Sequence, residues 1–294
     1  MRICRQAYAK INLTLEVLGP PKADGYHKIS SVFQTIDLAD TLIVQPGSDI
    51  HFTCNLSLLQ SADNLVIRAL EALRKASRHE KGADINLIKR IPIASGLGGG
   101  SSDAAAALLA LNELWHLELA EQELSEIAAH VGSDVPFFLQ GGTALVEGRG
   151  EKVTPLPPLP SRWLVLLSPP LDIPDKTKNL YASLSPFDYS EGEHTQRLVE
   201  AIKLGKPIDD SYFFNSFERV AYRVFDSLEQ YRQRFIEAGA ASVHLAGSGP
   251  TLFALVEDRL RGDEICRTLM DEEGILAYST GTIDVRKIIP GKGR

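Results

Sequence analysis

The sequence predicts an α+β protein in two halves. Segments with the two-residue alternation of strands interleave with segments carrying a helical stripe, without the regular period of a barrel. The length of 294 residues suits two domains of ordinary size. The densest proline cluster, TPLPPLPSR at residues 154–162, reads as the linker between them.

In the first half, INLTLEVL (11–18) alternates Ile11, Leu13, Leu15 and Val17 with Asn12, Thr14 and Glu16, the pattern of a strand buried on one face. ISSVFQTIDL (29–38) and DTLIVQPG (40–47) read as two further strands, after the loop PPKADGYHK (20–28). ADNLVIRALEALRKAS (62–77) predicts a helix capped by Asp63, with Leu65, Ala69, Leu70 and Leu73 as its apolar stripe. DINLIKRI (84–91) returns to strand, with Ile85, Leu87, Lys89 and Ile91 sharing one parity. A glycine-rich turn then runs into an alanine-rich helix, and AEQELSEIAAHV (120–131) forms another that ends near Gly132.

In the second half, WLVLLS (163–168) reads as a buried strand and residues 215–239 as one long amphipathic helix closed by Gly239. SVHLAGSGPTLFALVED (242–258) reads as strand, glycine turn and strand. Residues 262–274 and 280–288 close the chain as helix and strand.

Composition narrows the function. With 31 basic against 38 acidic residues the formal charge is −7, which argues against a nucleic-acid partner but leaves small anionic substrates open. No apolar run approaches the ~18 residues of a membrane span, so no membrane partner is expected. Cys4, Cys54 and Cys266 are widely spaced and odd in number, as in reduced thiols of a cytoplasmic protein. His130 and His244 lie in unrelated contexts, and no metal-ligand pattern emerges from the sequence.

The chemistry concentrates in PIASGLGGGSSDAA (92–105). Strand, small-residue turn and helix together present backbone N–H groups to an anion, and glycines remove the side chains that would hold a phosphate away. Ser101 and Ser102 can cap the helix or reach a phosphate oxygen. The Walker pattern fails because Gly100 is followed by Ser101 and not lysine. The dinucleotide fingerprint fails because Ser101 stands where its third glycine belongs. A tight turn packing a small-residue helix against a sheet is the bland alternative.

This stretch resembles the phosphate-binding motif of the GHMP kinases, in which backbone amides wrap the phosphates of ATP without a Walker lysine. AKINL (9–13) with GYH (25–27), GSDVPFFLQGGTALVEGRGE (132–151), NSFERVAY (215–222) and LAGSGPTLFAL (245–255) extend the likeness over nearly the whole chain. They resemble the branch that phosphorylates the 2-hydroxyl of a cytidyl-diphosphate-linked methylerythritol in non-mevalonate isoprenoid synthesis.

The resemblance implies an N-terminal ATP-binding domain over 1–156, like the second domain of ribosomal protein S5. A ferredoxin-like domain over 157–294 would follow, with the active site in the cleft between them. ATP is the implied phosphoryl donor, with Mg2+, for which Ser102 is a candidate helper. A cytidyl diphosphate is the implied partner.

Asp134 is the implied base and Lys10 the implied cation beside it. Read alone, the first is also a helix-end carboxylate and the second an edge-strand lysine. Pro92, Ile93, Ala94, Ser95, Gly96, Leu97, Gly98, Gly99, Gly100, Ser101 and Ser102 are implied to wrap the phosphates, with Asn64 and Lys89 near adenine and ribose. Asn12, Tyr26, His27, Thr177 and Tyr181 are implied for the cytidyl substrate: Tyr26 stacks, His27 reads the base edge, and Tyr181 is a second aromatic wall. AGSGPT (246–251) is implied to buttress the site. Another GHMP kinase, of mevalonate or homoserine type, or a non-catalytic nucleotide-binding regulator are the competing readings.

Overall fold

The computed structural model describes residues 1–22, 25–171, 173–271 and 274–284. Its first half is built on β1 (Ile3–Val17) and β2 (Ile29–Gly47), paired antiparallel along their length. The two strands expected at 29–38 and 40–47 are thus one. No glycine or proline breaks the chain between them, and a register slip between Tyr8 and Lys10 absorbs the irregularity.

β3 (Ile50–Cys54), α1 (Leu65–Ser77) and β4 (Gly82–Ile88) form a parallel crossover, and β4 pairs with the second half of β2. α1 is capped by Asn64, not Asp63: the Asn64 side chain accepts from the Val66 N–H at 2.9 Å. Its buried stripe is Val66, Ala69, Leu70 and Leu73, and Leu65 is only partly covered. α2 (Gly99–Leu114), α3 (Glu121–Val131) and a short helix that local patterning missed, α4 (Val135–Gln140), follow. α2 is buried around most of its circumference, because its alanines let the sheet, α1 and α4 approach closely. β5 (Thr143–Gly148) and β6 (Lys152–Pro155) complete a hairpin on the first half of β2.

The second sheet contains β7 (Trp163–Ser168). The chain then forms α5 (Lys176–Ala182), α6 (Glu193–Lys203), β8 (Phe214–Asn215), α7 (Glu218–Val224) and α8 (Leu228–Glu237). The single helix expected over 215–239 is therefore two. Phe225 leaves helical geometry to enter the core, and Ser227 adopts a φ of 69°. β9 (His244–Leu245), β10 (Leu252–Val256), α9 (Arg259–Met270) and β11 (Leu276–Gly281) finish the fold. The closing strand starts earlier than residue 280, and residues 285–288 of that expectation lie outside the described residues.

The order β11-β7-β10-β9 is fully antiparallel. With helices between its first and second and its third and fourth strands, this is the ferredoxin-like βαββαβ arrangement. β7 is apolar on both faces because Leu164 and Leu166 pack toward the first half while Val165 and Leu167 pack toward α7–α9. The halves are also joined by hydrogen bonds, since β8 pairs in parallel with β1 at Thr14–Phe214 and Leu15–Asn215. No described helix is long and apolar enough to cross a membrane.

Candidate functional site

β1 is buried on both faces, contrary to its alternating pattern. Its polar residues have two separate tasks. The Glu16 carboxylate accepts the Thr195 N–H at 2.7 Å and the His194 N–H at 3.3 Å, anchoring the start of α6. Thr14 accepts the Thr195 hydroxyl at 2.9 Å. Lys10 and Asn12 turn instead into a cleft of about 1360 Å³ between the glycine turn and the second half.

The Lys10 ammonium donates to Asn12 Oδ1 at 2.6 Å, lies 3.9 Å from Asp134 Oδ2 and sits 4.6 Å from the centre of the Phe33 ring. Asn12 in turn donates to Ser31 Oγ at 2.9 Å. Lys10 is only 3 % exposed, and burial pulls its pKa below the usual lysine value, opposed by the Asp134 charge. Asp134 occupies the N-cap position of α4 but makes no capping hydrogen bond. Its carboxylate is one-third exposed, open to the cleft.

The glycine turn arches from the end of β4 to α2. Leu97 is fully buried and plugs it into the core, and its carbonyl accepts the Lys10 N–H at 3.0 Å. Leu97 is thus an anchor, and it does not line the cleft as expected. Gly98, with φ 73°, is the N-cap of α2, so Ser101 and Ser102 lie inside its first turn and cap nothing. Ser102 is buried and faces a smaller cavity behind α2, near Phe138 and Thr35, which removes it as a magnesium helper. The remaining turn residues, Pro92 to Ser101 apart from Leu97, line the cleft.

A buried ionic cluster clamps the two ends of this turn. Lys89 donates to Asp103 at 2.6 Å and to Asp40, and Asp40 also accepts the Arg90 and Ile91 N–H groups. Two carboxylates hold the Lys89 pKa above the usual lysine value despite burial. Burial pushes Asp103 up to about 7, against the attraction of Lys89. Lys89 lines the cleft, but its ammonium, expected near the nucleotide, is engaged beneath the turn. Asn64 is similarly occupied, capping α1 and donating to the Leu59 carbonyl at 2.9 Å. Asp40→Ala leaves Lys89 paired with Asp103 alone and strands the Arg90 and Ile91 N–H groups. It is expected to cost about 2–5 kcal/mol in urea unfolding, from roughly 1–3 kcal/mol for each donor left unsatisfied; a cost under about 1 kcal/mol would show that the clamp is not structural.

The second half closes the cleft with the turn at 246–251. Gly96 approaches so closely that a Cβ there would lie 2.1 Å from the Ala246 carbonyl oxygen. The Thr251 N–H donates to the Ser95 carbonyl at 3.3 Å, and Thr177 Oγ1 lies 3.0 Å from Ser248 Oγ. Lys176, which sequence reasoning missed, donates to the carbonyls of Ala94, at 2.7 Å, and Gly249. No local signal marks it, because its partners lie 82 and 73 residues away.

The aromatic group differs from expectation in its pairing. The ring over Tyr181 is His27, stacked at 4.8 Å and 23°, whereas Tyr26 lies under the Arg149 guanidinium at 4.5 Å. His27 Nδ1 is 2.8 Å from the Gly19 carbonyl. A carbonyl only accepts, so Nδ1 carries the hydrogen and Nε2 of the neutral ring is an acceptor. Burial, then the Asp134 charge, pushes the Tyr181 hydroxyl up to about 12. Outside the cleft, Glu16, Glu193 and His194 form the one carboxylate–histidine group close enough for a metal among the described residues; Glu16 there serves as a helix anchor. His130 and His244 are not in it.

Residues 64–142 match the GHMP kinases N terminal domain and residues 198–276 the GHMP kinases C terminal domain. A 4-diphosphocytidyl-2-C-methyl-D-erythritol kinase from Dehalococcoides mccartyi is 45% identical over 278 residues, 94% of this chain and 97% of that protein. The crystal structure of a 4-(cytidine 5'-diphospho)-2C-methyl-D-erythritol kinase superposes with a TM-score of 0.80 at 35% identity, covering 96% of this chain and all of that one. A homoserine kinase from Cytophaga hutchinsonii shares the fold at 18% identity, with a TM-score of 0.71 over 96% of this chain and 95% of its own.

Proposed function

For this chain, which belongs to the GHMP kinases and within them to the 4-diphosphocytidyl-2-C-methyl-D-erythritol kinases, we propose a division of labour among the residues of the cleft. The protein is an ATP-dependent small-molecule kinase that phosphorylates the 2-hydroxyl of 4-diphosphocytidyl-2-C-methyl-D-erythritol. The hydroxyl oxygen attacks the γ-phosphorus, the bond to the bridging oxygen breaks, and ADP departs. Asp134 takes the hydroxyl proton. Lys10 orients the Asp134 carboxylate and offsets the charge that develops on the attacking oxygen and the phosphoryl group.

The observation that carries this reading is the 3.9 Å approach of Lys10 to Asp134 at the cleft floor, beside the glycine turn. Amides of the turn up to Ser101 bind the donor's phosphates, and Asn64 and Lys89 shape the floor beneath the nucleoside. Asn12 contacts the methylerythritol end. Tyr26, His27 and Tyr181 supply flat faces for cytosine, and the acceptor Nε2 of His27 suits its exocyclic amine. Thr177 borders that subsite.

Magnesium fits as a companion of the nucleotide. The Ser101 hydroxyl lines the cleft with no hydrogen-bond partner among the described residues and would hold it jointly with phosphate oxygens. When bound, magnesium supplies neutralising charge on the β- and γ-phosphates. We divide the chain into domains at 156/157, a boundary supported by the separation of the two sheets apart from β8. We assign the protein to the cytoplasm, in keeping with its three free cysteines.

ATP consumption is expected to depend on 4-diphosphocytidyl-2-C-methylerythritol and not on mevalonate or homoserine. Comparable turnover with either of the latter would overturn the assignment of the aromatic subsite to cytosine.

A further inference from the structure

Lys176 begins α5 and is largely buried, at 8 % exposure, yet it lines the cleft. Two of its three N–H bonds go to backbone carbonyls, Ala94 in the glycine turn and Gly249 in the turn of the second half. Carbonyls satisfy hydrogen bonds but do not cancel charge, and no carboxylate lies within ion-pair distance of Lys176 among the described residues. Lys89, on the opposite side of the same turn, has two carboxylates. The charge that bears on Lys176 is of the same sign, that of Lys10. A buried ammonium in this setting lacks an anion.

We infer that Lys176 is a positioning residue for the phosphoryl donor: it fastens the glycine turn to the turn from the second half, and the donor's polyphosphate completes its charge. The inference rests on the reading of the glycine turn as the nucleotide site. Burial, then the charge of Lys10, brings Lys176 down to about 8 in the free protein. The sign follows directly. Below about pH 8 the ammonium is charged and favours the polyphosphate; as pH rises through that value the contribution is lost.

The test is calorimetric binding of ADP and of the cytidyl substrate to wild type, K176M and K176R between pH 7 and pH 9.5. K176M is expected to bind ADP roughly 10- to 100-fold more weakly at pH 7, the loss that follows withdrawal of a charged hydrogen-bond donor. It should bind the cytidyl substrate within about 3-fold of wild type, which also reports an intact fold. Wild-type affinity for ADP should fall above pH 8, while K176R, which stays charged, should recover much of the affinity and keep it to pH 9.5. Equal ADP affinity in wild type and K176M, equal losses for both ligands, or a flat wild-type profile would each overturn the role of Lys176. A wild type that binds the cytidyl substrate but no ADP would overturn the nucleotide reading of the turn, and this inference with it.

Discussion

Asp134→Asn is expected to lower kcat by about 10²–10⁴, the range typical of a lost general base, while KM for ATP changes little. The substitution preserves shape and removes the proposed proton acceptor. Asp134 makes no capping hydrogen bond to α4, so its replacement leaves that helix end undisturbed. Its ionic neighbour is Lys10, which burial already disfavours as a cation. Loss of the carboxylate therefore lowers the Lys10 pKa further and weakens the second proposed catalytic group along with the first. The two effects will not add: Lys10→Met in the Asp134→Asn background should cost much less than Lys10→Met alone. Single-turnover measurement of phosphoryl transfer checks both statements, and turnover of Asp134→Asn within a few-fold of wild type would remove Asp134 as the base.

Gly96→Ala should be the most damaging single-methyl change in the glycine turn. At Gly96 the φ is 86°, a conformation that costs other residues roughly 1–3 kcal/mol. The added Cβ would also lie 2.1 Å from the Ala246 carbonyl oxygen, a backbone atom that cannot rotate away. Relief requires the turn at 246–251 to withdraw, which opens the cleft beside Lys10. Thermal denaturation should show a clear loss of stability, and KM for ATP should rise at least tenfold. At Gly100 the nearest atom to an added Cβ is Leu65 Cδ1 at 3.4 Å, and the residue is helical. Gly100→Ala should therefore leave fold stability intact. If the two variants melt alike, the close approach at Gly96 is not what joins the halves.

Much of the site was legible because its parts carry local signatures. The glycine turn has its own composition, Asp134 stands between Gly132 and Pro136, and Lys10 falls in AKINL. Partnership across the chain leaves no such mark. Lys89 looks like a surface lysine until Asp40 and Asp103 are brought around it, and Lys176 until Ala94 and Gly249 converge on it. Ser102 departs from its expected place because the helix starts at Gly99, which turns its side chain toward the smaller cavity behind α2. Alternation along β1 identified a strand but not its burial, since the second half covers the polar face. The helical period through 215–239 concealed a break set by where Phe225 packs.

The pairing of β8 with β1 has a consequence for how the enzyme opens. Two rungs of a ladder and the interlocked glycine turns rivet one lobe to the other, so admission of a nucleobase cannot rely on wide swinging of the lobes. On the reading proposed above, the subsite is built before its ligand arrives, with His27 lying against the Tyr181 phenol and Lys10 and Asp134 already side by side.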